Sequence, residues 1–176
     1  MKQNEMEIKR FRGMRSNAQG HIFEDHIKRA CRIYAAHGQA VIDKTPEPFR
    51  VLRKNSDGVF TGRFTALAQP DFQGTLKNGR SIVFEAKYTG ADRIRRNVLT
   101  QEQKETLEAH RVLGACAFVV CGIQSRFYTV PWQVWRDMKQ IFGRQYLKPE
   151  DIEPYRVKFD GAVRFLDYIH SGKSGK

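Results

Sequence analysis

Pro70-Asp71-Phe72-Gln73-Gly74-Thr75-Leu76-Lys77-Asn78-Gly79-Arg80-Ser81-Ile82-Val83-Phe84-Glu85-Ala86-Lys87 is the stretch on which the reading of this chain turns. An Asn-Gly pair between two apolar-rich runs predicts a hairpin with a two-residue type I′ turn, because both central positions of that turn need positive φ. Asp71 and Glu85 then lie on adjacent antiparallel strands. Side chains alternate along a strand, so Glu85 and Lys87 share one face while Phe84 and Ala86 take the other. Two carboxylates and one ammonium converge.

Carboxylates crowded at the end of a buried sheet are costly unless a cation joins them. A hard, oxygen-liganded ion such as Mg²⁺ suits them, since it takes one or two carboxylates and keeps positions for water and phosphate oxygens. Lys87 would orient or deprotonate a water there, or meet charge developing on a phosphorane-like transition state. These are the requirements of phosphodiester hydrolysis. Thirteen residues separate Asp71 from Glu85, and Pro70-Asp71 with Glu85-Ala86-Lys87 resembles the Pro-Asp…Asp/Glu-X-Lys nuclease superfamily. By spacing alone the same residues also fit a solvated cross-strand ion pair.

The 176 residues suit one domain, with 40% hydrophobic and 28% charged residues as in an ordinary globular protein. No apolar run approaches the roughly 20 residues of a membrane span, and the charged N-terminus lacks the apolar core of a signal peptide. The expected location is cytoplasmic. Lysine and arginine number 31 against 19 acidic residues, a formal net charge of +12. That surplus calls for a polyanionic partner, and its dispersal favours nucleic acid over a membrane; a merely basic, solvated surface is the alternative. Cys31, Cys116 and Cys121 lack zinc-like spacing and read as reduced core thiols.

In chain order, residues 1–15 carry Arg10, Arg12 and Arg15 in a basic stretch that reads as a flexible, phosphate-clamping arm or a disordered start. Phe23, Ile27, Ala30, Cys31 and Tyr34 then recur at helical spacing over Asn17 to Ala36, and Gly38 sits where a helix ends. Glu24 flanks that stripe and either reaches over the end of the sheet or stays on the helix surface. Gln39 to Asp43 is a short strand. Residues 45–69 then read as two extended legs around Asn55-Ser56-Asp57-Gly58, bearing Arg50, Arg53, Lys54 and Arg63 with several phenylalanines. Such a stalk suits phosphates and unpaired bases, or is an ordinary hairpin.

Beyond the central hairpin, Arg93, Arg95 and Arg96 cluster ahead of Thr100-Gln101-Glu102-Gln103, a capping box that opens a helix to about Leu113. On this reading Leu107 and residues 109–112 face inward, and Gln103 caps the helix or reaches a catalytic water or phosphate. Ala115 to Ile123 is a buried central strand and Arg126 to Val130 the next. A helix follows over Trp132 to Phe142, opened by Pro131 and closed by Gly143. Residues 157–169 are undecided, and 170–176 form a flexible tail. The order predicts an α/β domain with a mixed central sheet flanked by helices. No Walker A loop, GxSxG elbow, zinc signature or dinucleotide fingerprint is present, so no nucleotide cofactor is expected.

Taken together, residues 20–24, 38–48, 71–74, 84–89, Gln103 and 114–119 resemble the RecU family of Holliday junction resolvases, the likeness covering roughly residues 13 to 135. The resemblance implies a restriction-endonuclease-like core with a protruding β-stalk at 45–69. It implies a homodimer that uses Mg²⁺ or Mn²⁺ to make paired nicks in four-way junction DNA. It implies Asp71, Glu85 and Ala86 as metal-binding positions, Lys87 as the catalytic lysine, and Glu24 and Gln103 as auxiliary groups. The stalk sequence and shortened termini depart from typical bacterial members and point to a phage-type relative.

Overall fold

The computed structural model describes residues 2–46, 49–54, 57, 60–64 and 69–167, with side chains at 18–46, 57 and 69–167. The Pro70–Lys87 stretch forms the expected hairpin. Strand β4 (Phe72–Leu76) pairs antiparallel with β5 (Ser81–Thr89), Phe72 opposite Phe84. The turn differs from the expectation. Gly79 has φ +79° while Asn78 keeps negative φ, since Gln124 is the one described non-glycine residue on the positive side. The Gly79 N–H bonds the Leu76 carbonyl at 2.8 Å and the Leu76 N–H bonds the Arg80 carbonyl at 2.9 Å. This is a three-residue loop whose last residue is left-handed. The side chain of Asn78 accepts the Arg80 N–H at 3.1 Å, a local bond that substitutes for a left-handed Asn backbone.

Around this hairpin the chain lays a five-stranded sheet in the order β1-β4-β5-β7-β8, adding β1 (Ala40–Lys44), β7 (Cys116–Ile123) and β8 (Arg126–Pro131). Only β5 and β7 run parallel, joined through helix α2 (Gln101–Val112), so the sheet is mixed as expected. Helices cover both faces. On one, α1 (Lys2–Ala36) presents Phe23, Ile27 and Tyr34 to Phe72, Phe84 and Phe118. The last three rings stack in sequence at 4.9 Å, one from each of three adjacent strands. On the other, Leu107 of α2 joins Val83, Val119, Cys121, Trp132 and Trp135. Alternation along β5 thus sends Phe84 and Ala86 to the α1 face and leaves Val83, Glu85 and Lys87 toward α2.

Several boundaries moved. Helix α1 begins at Lys2, so residues 2–15 are helical turns and not an unstructured arm; they are rich in helix formers and contain no proline. The two legs of the stalk are β2 (Phe49–Lys54) and β3 (Phe60–Phe64), an antiparallel ribbon separate from the main sheet. In α2, Leu107 is buried but Ala109 and Val112 are exposed, because the inward stripe of so short a helix is narrow. The helix expected over Trp132 to Phe142 breaks into α3 (Trp132–Arg136) and α4 (Met138–Phe142) at Asp137, whose carboxylate takes both ends of the Arg136 guanidinium at 2.8 Å. Gly143 closes α4 at φ +69°. A small ribbon pairs β6 (Ile94–Arg95) with β9 (Tyr146–Leu147).

Residues 157–167 form no long element yet pack inside. Val163, Phe165 and Leu166 are buried, the Val157 N–H bonds the Phe127 carbonyl at 3.0 Å, and the Thr129 hydroxyl donates to the Phe165 carbonyl at 2.9 Å. The segment therefore covers the outer side of β8 and reaches α1, where the Leu166 N–H donates to the Tyr34 hydroxyl at 3.1 Å. The expected tail at 170–176 lies outside the described residues.

Strands β1 and β4 approach so closely at Gly74 that a Cβ there would stand 2.0 Å from the Val41 carbonyl oxygen and 2.7 Å from the Ile42 Cα. Gly74→Ala must push β1 aside, and a loss of roughly 1–3 kcal/mol is expected in denaturant unfolding. Wild-type stability would show that the two strands separate freely.

Candidate active site

Asp71 ends the segment that enters β4, and Glu85 and Lys87 stand two apart on β5, so the hairpin alone assembles the cluster. The Lys87 ammonium donates to Asp71 Oδ2 at 3.1 Å and to Glu85 Oε2 at 3.0 Å. Asp71 Oδ2 also accepts the Ala86 N–H at 2.9 Å, which locks that carboxylate against the middle of β5. Asp71 is a quarter exposed, whereas Glu85 is 0% exposed. A carboxylate so placed resists ionisation. Burial first and the neighbouring Asp71 charge second push the Glu85 carboxyl up to about 8, against the pull of Lys87. Burial works against the Lys87 charge, but the two carboxylates outweigh it and hold the amine protonated.

Gln103 comes from α2, on the face of the sheet toward which Glu85 points. Its Nε2 donates to Glu85 Oε2 at 2.6 Å, while its Oε1 accepts the Thr100 N–H at 3.1 Å and Thr100 Oγ1 takes the Gln103 N–H at 3.3 Å. The amide therefore caps the helix, as one reading of the sequence has it, and at the same time holds the Glu85 carboxylate, a contact that neither reading named. Helix α2 is itself pinned by Glu108. That carboxylate accepts from Arg111 at 2.7 Å, from Arg136 at 3.1 Å and from the Trp132 indole at 2.5 Å. Those hydrogen bonds, Arg111 foremost, hold its carboxyl down at about 2.

Glu24 is placed differently. It sits on α1, across the sheet from Glu85, and its carboxylate pairs with Lys44 of β1. Among the described residues no three histidine, cysteine or acidic side chains gather as a metal group. The contact that Glu24 makes is with Lys44, on the strand that pairs beside the Asp71 segment. The partner it finds was not singled out in the sequence. Lys44 aligns with Phe72 in the β1–β4 register, and the Thr45 N–H beside it bonds the Asp71 carbonyl at 3.0 Å. A lysine next to a Thr-Pro pair carries no signal by itself; only pairing of β1 with β4 brings it beside Asp71.

Of the basic residues singled out in the sequence, Arg93, Arg95 and Arg96 lie on and beside β6, in the connection from β5 to α2. Arg10, Arg12 and Arg15 fall in the first turns of α1, and Arg50, Arg53, Lys54 and Arg63 on β2 and β3; their side chains lie outside the described residues.

The donor set fits a hard divalent ion. Glu85 Oε1 is buried with no hydrogen-bond partner among the described residues, an orphaned acceptor next to the Asp71 carboxylate. Two carboxylates with neither thiolate nor imidazole match the oxygen preference of Mg²⁺ or Mn²⁺ and not that of zinc. The family model for recombination protein U (RecU) matches residues 18–172. The chain belongs to the RecU family. It is accordingly a Holliday junction resolvase, an endonuclease of DNA recombination. No curated protein matches the chain. A solved structure that resembles it is that of Hjc from Archaeoglobus fulgidus, a Holliday junction resolvase from an archaeal hyperthermophile, at 11% identity over 81% of this chain and 97% of that chain with a TM-score of 0.48, too slight a likeness to add to the family assignment. Among the described residues of this RecU protein no helix is long and apolar enough to cross a membrane.

The raised Glu85 carboxyl gives a signed pH dependence. A carboxyl whose folded pKa exceeds its unfolded value stabilises the fold at low pH, and that contribution is lost as pH rises from the ordinary 4.5 through about 8. Glu85→Gln removes the effect. In EDTA, the Tm of wild type relative to Glu85→Gln should therefore fall between pH 5 and pH 8, and MgCl₂ should raise the Tm of wild type most at the upper end. Parallel Tm curves for the two proteins would refute the buried, strained carboxylate.

Proposed function

We propose that Asp71, Glu85 and Lys87 form the catalytic centre, and that the resolvase works as a two-fold symmetric dimer nicking opposite strands of a four-way junction. The observation that carries this is the buried Glu85 carboxylate with one oxygen unpartnered beside Asp71, an arrangement that burial makes unfavourable in the absence of a cation. Asp71 and Glu85 would hold Mg²⁺ or Mn²⁺. When bound there, such an ion supplies positive charge to phosphate oxygens and acidifies a coordinated water.

The protein groups divide the remaining work. Lys87, bonded to both carboxylates, is placed as a cationic donor that favours charge developing on the phosphate as the P–O bond breaks. Gln103 fixes the Glu85 carboxylate through Nε2 and keeps its own aim through the capping bond to Thr100. Ala86 contributes its N–H to hold Asp71. Glu24 enters only through Lys44, as a second-row pair beside the Asp71 segment. An isologous dimer would present one such centre to each of two symmetry-related strands, which accounts for paired nicks. The ribbon of β2 and β3 and the basic turns at the start of α1 are proposed to contact the junction arms, in keeping with the +12 net charge.

Cleavage of a labelled immobile four-way junction, beside a linear duplex of the same arms and with MgCl₂ or EDTA, tests the proposal. Symmetric, ion-dependent nicks confined to the junction are expected, and Asp71→Asn and Lys87→Ala should lose at least ~10²-fold in rate with junction binding retained. Wild-type rates in either variant would remove that residue from the mechanism. Gln103→Glu keeps an acceptor for the Thr100 N–H but replaces the donor to Glu85 by a like charge. Its far-ultraviolet circular dichroism should match wild type while nicking falls on the order of 10-fold to 10²-fold; unaltered nicking would confine Gln103 to capping.

A further inference from the structure

The small ribbon of β6 and β9 has two unlike sides. Ile94 and Leu147, directly opposite each other, are buried. Strand alternation places Arg93 and Arg95 on the outer side of one leg and Arg144 and Tyr146 on the outer side of the other, with Arg95 directly across from Tyr146. Two guanidinium groups, those of Arg93 and Arg144, flank the phenol ring. The Arg93 guanidinium carbon stands 5.1 Å from the ring centroid and that of Arg144 stands 5.0 Å from it. Both lie within the range of a cation–π contact.

The two stacked arginines are not equivalent. Arg144 is neutralised, since its terminal nitrogen lies 2.6 Å from both oxygens of Asp151. Among the described residues Arg93 pairs with the exposed carboxylate of its neighbour Asp92, at the longer distance of 3.4 Å, and its own side chain is 45% exposed. The ring therefore holds in place a guanidinium whose one ion pair is solvent-exposed and whose edge is open to an anion. A guanidinium stacked on an aromatic ring still offers its N–H groups in the plane, the direction from which a phosphate is gripped.

Its place in the chain is also defined. Arg93 is six residues beyond Lys87, which bounds the Cα separation at about 20 Å. Successive phosphates of one strand rise about 3.4 Å per base pair, so the reach corresponds to about six base pairs from the scissile phosphate. We propose that Tyr146 is a positioning residue that holds Arg93 against a backbone phosphate of the junction arm entering the active site. This rests on the nuclease reading above, but its readout is binding and not cleavage.

The experiment is equilibrium binding of a labelled immobile four-way junction in EDTA over a series of salt concentrations. Each phosphate contact adds about one to the slope of log Kd against log salt. Arg93→Gln, at an exposed position, should lower that slope by about one and weaken binding. Tyr146→Leu should do the same without adding to Arg93→Gln in the double variant, and Tyr146→Phe, which keeps the ring, should restore the wild-type slope. An unchanged slope in Arg93→Gln, or a Tyr146→Leu effect that adds in full or is not rescued by phenylalanine, would overturn the proposal. Should the wild type bind the junction with these slopes yet cut nothing in MgCl₂ or MnCl₂, the nuclease reading fails and the phosphate contact stands.

Discussion

The constraint on which this structure depends is the burial of the Glu85 carboxylate. A negative charge removed from water is tolerated only where compensation is built around it, and the compensation here comes from two directions. Lys87 arrives from the same strand, steadied by its second bond to Asp71, and Gln103 from α2, while the Asp71 charge itself works against ionisation of Glu85. Each partner is itself held by a second bond. Asp71 is tied to the Ala86 N–H, Gln103 to Thr100, and α2 to α3 through Glu108 with Arg136 and Trp132. One oxygen of Glu85 stays without a partner even so. On the proposed function, that residual imbalance is what a cation held by Asp71 and Glu85 would relieve.

The sheet serves that arrangement by keeping the two faces of β5 chemically distinct. The stacked phenylalanines at 72, 84 and 118 fill the α1 face with apolar surface. The other face takes Val83 deep in the core and then yields to Glu85 and Lys87 as the strand runs toward its end. A slip of one residue between β4 and β5 would bury Lys87 among the phenylalanines and turn Phe84 outward, so apolar packing fixes the register that assembles the charges. Close approach of β1 at Gly74 belongs to the same design, because it brings Lys44 and Thr45 beside the Asp71 segment.

Where the reading from sequence departed from the structure, local bonds explain the difference. Asn78 satisfied the Arg80 N–H with its side chain and stayed out of the left-handed region; the longer loop shifts the pairing by one residue from that of a two-residue turn, which sets Phe72 opposite Phe84 and not Glu85. Asp137, clamped by Arg136, split the helix after Pro131 in two. Glu24, which the sequence left either reaching over the end of the sheet or on the helix surface, pairs with a lysine from β1. Neither the Tyr146 platform nor the Glu108 network had a sequence signature, since both join residues far apart in the chain whose types are individually ordinary.

By itself the sequence determined the alternation of Phe84, Glu85, Ala86 and Lys87, the hairpin that returns Asp71 to them, the capping box at Thr100 and the basic excess. These depend on periods of two and on residue chemistry within a few positions, and such relations survive in any packing. Tertiary structure alone decided that Glu85 loses all contact with solvent, that the capping amide also grips the carboxylate, and that Glu24 answers to Lys44. Burial, and the charge state that follows from it, is a property of what the other strands and helices place around a residue, and no local pattern encodes it.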